Sequence, residues 1–204
     1  MTHEEADPKS SLRKKSAQVL KDLGGTDATA TAAPRRSVLA ADERRGMSAD
    51  KDWRSDRVGA ALAGRNPTVL AELDAAFAVI GDVQWLPGYS LALTKEPGVD
   101  KLSDLPRPER IRYLADVDLI ATAVENVCAR RDRGFRRMNI EILGNTDAFL
   151  HAHIWPRYDW EPPALLEKPV WLYSPDHWSD PGHALGDAHD DLRADITREL
   201  QALR

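Results

Sequence analysis

The run Phe149-Leu150-His151-Ala152-His153-Ile154-Trp155, stopped by Pro156, has the two-residue period of a strand. Residues two apart on a strand point to the same side. Leu150, Ala152 and Ile154 therefore belong to one face, and His151 and His153 share the other. A sheet built around this strand buries the apolar side and leaves two imidazoles converging on one spot. The chain has only six histidines, so a third of its imidazoles meet in that strand.

The elements around it point to an α+β domain with an antiparallel sheet. "SDRVGAALAG" and "NPTVLAELDAAFAVI" carry apolar residues at helical spacing, the second opened by Asn66 as a cap with Pro67 at the first helical position. "FAVIGD" turns strand-like, and "QWLPGYSLALTK" is a second strand after a Pro-Gly turn. "PRPERIRYLADVDLIATAVENVCARR" is the longest helical pattern, with Ile111, Leu114, Val117, Leu119, Ile120, Val124 and Val127 as its apolar face. "FRRMNIEILGN" reads as a strand leading to a Gly-Asn turn, with "AFLHAHIWPRY" as its antiparallel partner. "DDLRADITRELQALR" is a final helix. Strands and helices in separate runs, without regular alternation, give α+β.

At 204 residues the chain fits one ordinary domain. Residues 1–46 hold none of its thirteen Trp, Tyr and Phe residues and include the low-complexity "TDATATAAPRRS". Such a segment buries too little apolar surface to offset its ordering entropy. A disordered leader over 1–46 and a domain over 47–204 are expected, and Met47 is a candidate start. The leader carries a net +2 and the rest −7, together the −5 of the chain. An acidic body argues against an extended nucleic-acid surface. With no apolar run near eighteen residues, a membrane span is not expected. The single cysteine, Cys128, excludes an internal disulfide and points to a reducing compartment. The start "MTHEEADPKSS" lacks the basic and apolar regions of a secretory signal, so a cytoplasmic location is expected.

"GNTDAFLHAHIWPR" resembles the signature strand of the histidine triad (HIT) superfamily of nucleotide hydrolases and transferases. That pattern is His-φ-His-φ-His-φ-φ, often closed by Pro-Arg and preceded by a Gly-Gln or Gly-Asn turn. Gly144-Asn145 and Pro156-Arg157 fall into place if His151 is the middle histidine and His153 the last, which puts Phe149 at the first. A register ending on Trp155 breaks both spacings. "VQWLPGYSLALTK" is similar to the family's Pro-Gly-His strand, with Tyr89 where His is usual. The resemblance covers roughly residues 66–160 and leaves 161–204 as a C-terminal helical extension. It implies a HIT-like antiparallel sheet with the long helix packed on it.

The resemblance further implies that His151 attacks the α-phosphorus of a nucleoside polyphosphate or phosphoramidate, diadenosine polyphosphates being the best-known class, to form a covalent nucleotidyl-histidine. His153 would donate to a phosphate oxygen. Asn145 and Thr146 would hold the phosphate, and Asp82, one residue out of register, would reach the ribose. Arg157 is a phosphate ligand or a structural partner of a carboxylate. No metal or cofactor is implied, and members commonly pair as homodimers, for which "RYLADVDLIATAVENV" is the candidate element. The chemistry stands on its own as well. A neutral imidazole is a good nucleophile near neutral pH, and a covalent intermediate splits one hard displacement into two easier ones.

Two other readings use the same residues. His151 and His153 could be ligands of a catalytic metal, completed by a carboxylate or third histidine from the C-terminal segment. Alternatively the protein binds nucleotides without turnover, having lost the first histidine. In the C-terminal segment, Trp160, Trp171, Tyr173 and Trp178 read either as an aromatic clasp that packs the segment on the sheet or as a wall that wraps back over the site to stack on a base or close it from water, while His177, His183 and His189 read as surface residues.

Overall fold

The computed structural model describes residues 52–204; the expectations for the leader and for Met47 lie outside them. Five strands, β1 (Val69–Glu72), β2 (Ala76–Ile80), β3 (Ser90–Thr94), β4 (Phe135–Glu141) and β5 (His151–Tyr158), form one antiparallel sheet in the order β1-β2-β3-β5-β4. Four α-helices accompany them: α1 (Arg57–Leu62), α2 (Arg107–Arg131), the single turn α3 (Asp176–Ser179) and α4 (Asp190–Ala202). The α+β expectation holds. Among the described residues no helix is long and apolar enough to cross a membrane.

The long helix α2 lies across one face of the sheet. Small side chains there, Ala76, Ala78, Ala92 and Ala152, let the helix approach closely, and Leu150 and Ile154 pack beside them against Val117, Ile120, Val124 and Val127. The Tyr113 hydroxyl donates to the Ala92 carbonyl at 2.9 Å, and the buried Asp116 carboxylate accepts from the N–H groups of Ala75 and Ala76 at 2.6 and 2.9 Å. These bonds satisfy polar groups that burial would otherwise leave without water and tie the helix to β3 and to the β1–β2 turn. Helix α4 closes this core with Leu192, Ile196 and Leu200. The expected apolar face of α2 is too wide, however. Ile111 and Leu114 are 54% and 40% exposed, because the buried stripe runs through Tyr113, Val117, Ile120, Val124 and Val127.

A second correction concerns "NPTVLAELDAAFAVI". Asn66 caps no helix; its side-chain oxygen accepts from the backbone N–H and the hydroxyl of Thr68 at 3.0 and 2.7 Å, a local turn of the kind Asn favours. The next residues form β1, paired with β2. Four residues fit either period, and the cross-strand partner, not the local pattern, decides.

The opposite face of the sheet is covered at both ends and open between them. Val58 and Ala61 of α1 pack on Phe77, Val79 and Leu93 at one end. At the other, Trp155 of β5 clusters with Trp85, Leu86, Val170 and Tyr173. The C-terminal segment is therefore clasped to the sheet, as expected. It also pairs with the loop after β2, where the N–H of Leu185 donates to the Asp82 carbonyl at 2.8 Å and that of Gln84 to the His183 carbonyl at 2.6 Å. His177 and His183 are accordingly half-buried, His177 against the Trp85 ring with centroids 4.7 Å apart. They are not the surface residues that their six-residue spacing implied, because that spacing describes a helix and the segment is irregular.

Candidate functional site

The open part of the face is set by β5. His151, His153, Trp155 and Arg157 follow one another along it at the two-residue period, and the two histidines are 4% and 9% exposed. Their Nε2 atoms stand 3.1 Å apart, so the convergence read from the alternation is present.

The neighbours determine which nitrogen carries each proton. His151 Nδ1 lies 2.8 Å from the Phe149 carbonyl oxygen. A carbonyl only accepts, so Nδ1 bears the proton and Nε2 keeps its lone pair. His153 Nε2–H then donates to His151 Nε2, and His153 Nδ1 accepts from the Tyr89 hydroxyl at 2.8 Å. The three bonds run in one direction, from Tyr89 through both imidazoles to the backbone of Phe149. Burial, with the neighbouring His151 second, pushes the His153 pKa down to about 3; the ring stays neutral, as this arrangement requires. Burial, followed by the charge of Asp82, raises Tyr89 well above an ordinary phenol, which keeps its O–H a donor.

Tyr89 is held in place from several sides. Its ring stacks on Trp155 with centroids 3.5 Å apart and planes within 6°. The loop before it is fixed by Gln84, whose amide donates to the carbonyls of Gly81 and Tyr89 at 2.9 Å each and accepts from the Gly88 N–H at 2.9 Å. A Cβ at Gly81 would stand 2.2 Å from the Tyr89 ring, so only glycine allows this approach. The two departures from the family pattern thus have local substitutes. The Phe149 backbone orients His151, and the Tyr89 hydroxyl orients His153.

Two cavities meet at the histidine pair. One, of about 250 Å³, has apolar walls that include Val79, Leu91, Leu93 and Phe149 and a polar end formed by Asn66, Thr68, Asp82 and Arg57. Asp82, expected at the ribose, lines this cavity, and Arg57 grips its carboxylate at 2.6 and 3.3 Å. The other, of about 600 Å³, is bounded by the 143–147 loop and by Trp171 and Trp178. Asn145 and Thr146 are exposed on its wall, on the same cavity as His151 and His153.

Arg157 does not join them. Its guanidinium is buried and consumed by protein acceptors: Nε donates to both oxygens of Glu161 at 3.0 Å, Nη1 to the Lys168 carbonyl at 3.0 Å and Nη2 to the Tyr173 hydroxyl at 3.1 Å. Side-chain exposures of 4% for Arg157 and 0% for Glu161 make it an internal strut, the carboxylate partner of its two expected roles and not the phosphate ligand. Several site residues were not anticipated. Arg57 comes from α1, outside the region of resemblance. Asn66 and Thr68 were assigned to a helix start. For the metal reading, among the described residues no group of three or more His, Cys, Asp or Glu side chains is arranged to hold an ion.

No model of a known protein family matches the sequence, and no curated protein matches it either. Solved structures do match. A histidine triad protein from Marinobacter aquaeolei VT8 superposes with a TM-score of 0.53 at 19% identity, over 67% of this chain and 90% of its own. One from Bradyrhizobium japonicum gives 0.53 at 18%, over 65% and 89%. A hypothetical histidine triad nucleotide-binding protein from Sulfolobus tokodaii strain7 gives 0.52 at 14%, over 72% and 91%. The antiparallel sheet with the long helix across it gives this chain the same fold as these histidine triad proteins.

Proposed function

We propose that the protein is a nucleotide phosphohydrolase or nucleotidyl transferase that works through a covalent nucleotidyl-histidine on His151. The observation that carries this reading is the orientation of His151: Nδ1 is tied to the Phe149 carbonyl and Nε2 keeps its lone pair beside the His153 N–H. An oriented neutral imidazole next to a hydrogen-bond donor is what in-line displacement at phosphorus asks of a protein.

His151 Nε2 attacks the α-phosphorus of a nucleoside polyphosphate or phosphoramidate. A P–N bond to Nε2 forms as the bond to the leaving group breaks. The leaving group departs with that electron pair and takes a proton from solvent where its basicity demands one. His153 Nε2–H, released from His151, donates to a nonbridging oxygen and meets the charge that develops there. Water then attacks phosphorus, the P–N bond breaks, the electron pair returns to Nε2, and the proton of water goes to solvent. The apolar cavity beside Phe149 suits the nucleoside, with Asp82 at its polar end for a ribose hydroxyl. Asn145 and Thr146, exposed on the cavity that His151 and His153 also line, would hold the phosphate. No metal or cofactor enters these steps. The nucleotide-binding description of the Sulfolobus tokodaii protein, whose fold this chain shares, is in keeping with the reading. A homodimer paired through α2, where Ile111 and Leu114 are exposed, completes it; sedimentation at the mass of one chain counts against that pairing.

The test is incubation of the full chain with an adenosine phosphoramidate and a diadenosine polyphosphate, alongside His151→Ala. The expected result is released nucleoside monophosphate and a nucleotidyl adduct located on His151 by mass, both lost in the variant. Turnover that persists in His151→Ala would sink the covalent mechanism.

A further inference from the structure

A third cavity, of about 240 Å³, lies along β4 and shares no lining residue with the two that meet at the histidine pair. Arg136, Arg137 and Lys168 line it together with Arg157, and Glu141 and Glu167 are its acidic residues. An irregularity of the strand brings the two adjacent arginines together. Consecutive strand residues ordinarily point to opposite faces. Between Phe135 and Arg137, however, β4 advances two residues while its partner β5 advances one, from Tyr158 to Arg157. A bulge of this kind re-aims a side chain, and Arg136 joins Arg137 on one cavity wall.

The positive charges gathered there lack partners. Arg137 stands directly opposite Arg157 in the β4–β5 ladder, and like charges at paired positions destabilise a sheet. Arg157 is compensated by the buried Glu161. Among the described residues Arg136, Arg137 and Lys168 form no ion pair, and the Glu141 carboxylate is engaged by the Trp171 indole N–H at 2.7 Å. This happens in a body, residues 47–204, whose net charge is −7. We infer that the cavity binds a phosphoryl dianion, as free phosphate or as the end group of a small phosphate ester. Two guanidiniums offer planar donor forks that match phosphate oxygens, and the ammonium adds a point charge. The volume falls below the roughly 300–1,000 Å³ of pockets for drug-sized ligands, which suits one phosphoryl group and not a whole nucleoside. The site is separate from the histidine pair and does not depend on nucleotidyl transfer. Arg157 lies four residues from His153 along β5, about 13 Å at about 3.3 Å per residue.

The experiment titrates the full chain with inorganic phosphate, AMP and acetate at constant ionic strength and reads the backbone amide shifts of β4 and of the 143–147 loop. Wild type is compared with Arg137→Gln, with Lys168→Gln and with the double variant Arg136→Gln/Arg137→Gln; the three side chains are exposed, so these variants keep the fold. Phosphate is expected to give saturable shifts over β4, with acetate weaker by about tenfold. Each arginine removed should cost about tenfold in phosphate affinity, the scale of one hydrogen bond to a charged group. AMP shifting the same residues assigns the site to the end group of an ester, and a response to phosphate alone assigns it to the free ion; either result supports the site. Phosphate shifts confined to the 143–147 loop, β4 shifts unchanged in the double variant, or an acetate response equal to that of phosphate overturn it. A single-stranded RNA that binds through these arginines while phosphate gives no response also overturns it, in favour of a polyanion surface. None of these readouts involves turnover at His151.

Discussion

The Tyr89 hydroxyl donates to Nδ1 of His153 at 2.8 Å, which closes the line of proton directions that the Phe149 carbonyl begins at His151 Nδ1. Tyr89 is buried and its phenol is held in the protonated form, and with the His153 proton on Nε2 its partner Nδ1 can only accept. It presents a donor, and the His153 proton stays on Nε2, toward His151.

Removing that donor should release the tautomer. In Tyr89→Phe the His153 Nδ1 loses its partner, at a cost of about 1–3 kcal/mol for an unsatisfied buried group. Turnover should fall by about one to two orders of magnitude with KM little changed. Imidazole nitrogen shifts of His153 should show mixed tautomers, and a wild-type shift pattern in the variant would contradict the assignment.

Restoring the missing histidine should matter little. Phe149 orients His151 with its backbone carbonyl, which every residue possesses. Phe149→His is expected to keep kcat within about fivefold of wild type, less than about 1 kcal/mol. A gain of two orders of magnitude would mean that the first side chain, not its carbonyl, had been limiting.

His153 also links stability to pH. Its folded pKa of about 3 lies below the ordinary 6.5, so between those values the unfolded chain binds a proton that the folded chain refuses. Stability therefore falls as pH drops from about 6.5 toward 3, with a slope of up to about 1.4 kcal/mol per pH unit from this one group. Denaturant unfolding of wild type and His153→Gln across that window should show a shallower decline in the variant.

The strut between Arg157 and Glu161 should be a stability element. Breaking a buried pair from one side leaves the other charge uncompensated, a loss of about 3–5 kcal/mol. Arg157→Met is expected to lose that much in equilibrium unfolding, and adding Glu161→Gln should recover part of it. A folded Arg157→Met that retains full stability but loses nucleotide affinity would return Arg157 to the phosphate.

A strand's period assigns faces without reference to anything distant, which is why His151 and His153 could be paired from "FLHAHIWPR" alone. The same local logic located α2 and α4 and the strand that follows Tyr89. It failed where two periods fit one short run, as in Val69–Glu72, whose strand state depends on hydrogen bonds to β2. It failed again at Ile111 and Leu114, since an apolar stripe says that a face is available and not how much of it the sheet covers. Arg157 shows the limit most plainly. Alternation put it on the face of the histidines, and only the fold brought Glu161, Tyr173 and the Lys168 carbonyl around its guanidinium. Thus the sequence by itself determined four of the five strands, the long helix and the imidazole pair, because these follow from short-range periodicity. The tertiary structure alone decided the proton directions, the Arg57–Asp82 contact and the tryptophan wall, because each depends on residues far apart in the chain meeting at a distance of a few ångströms.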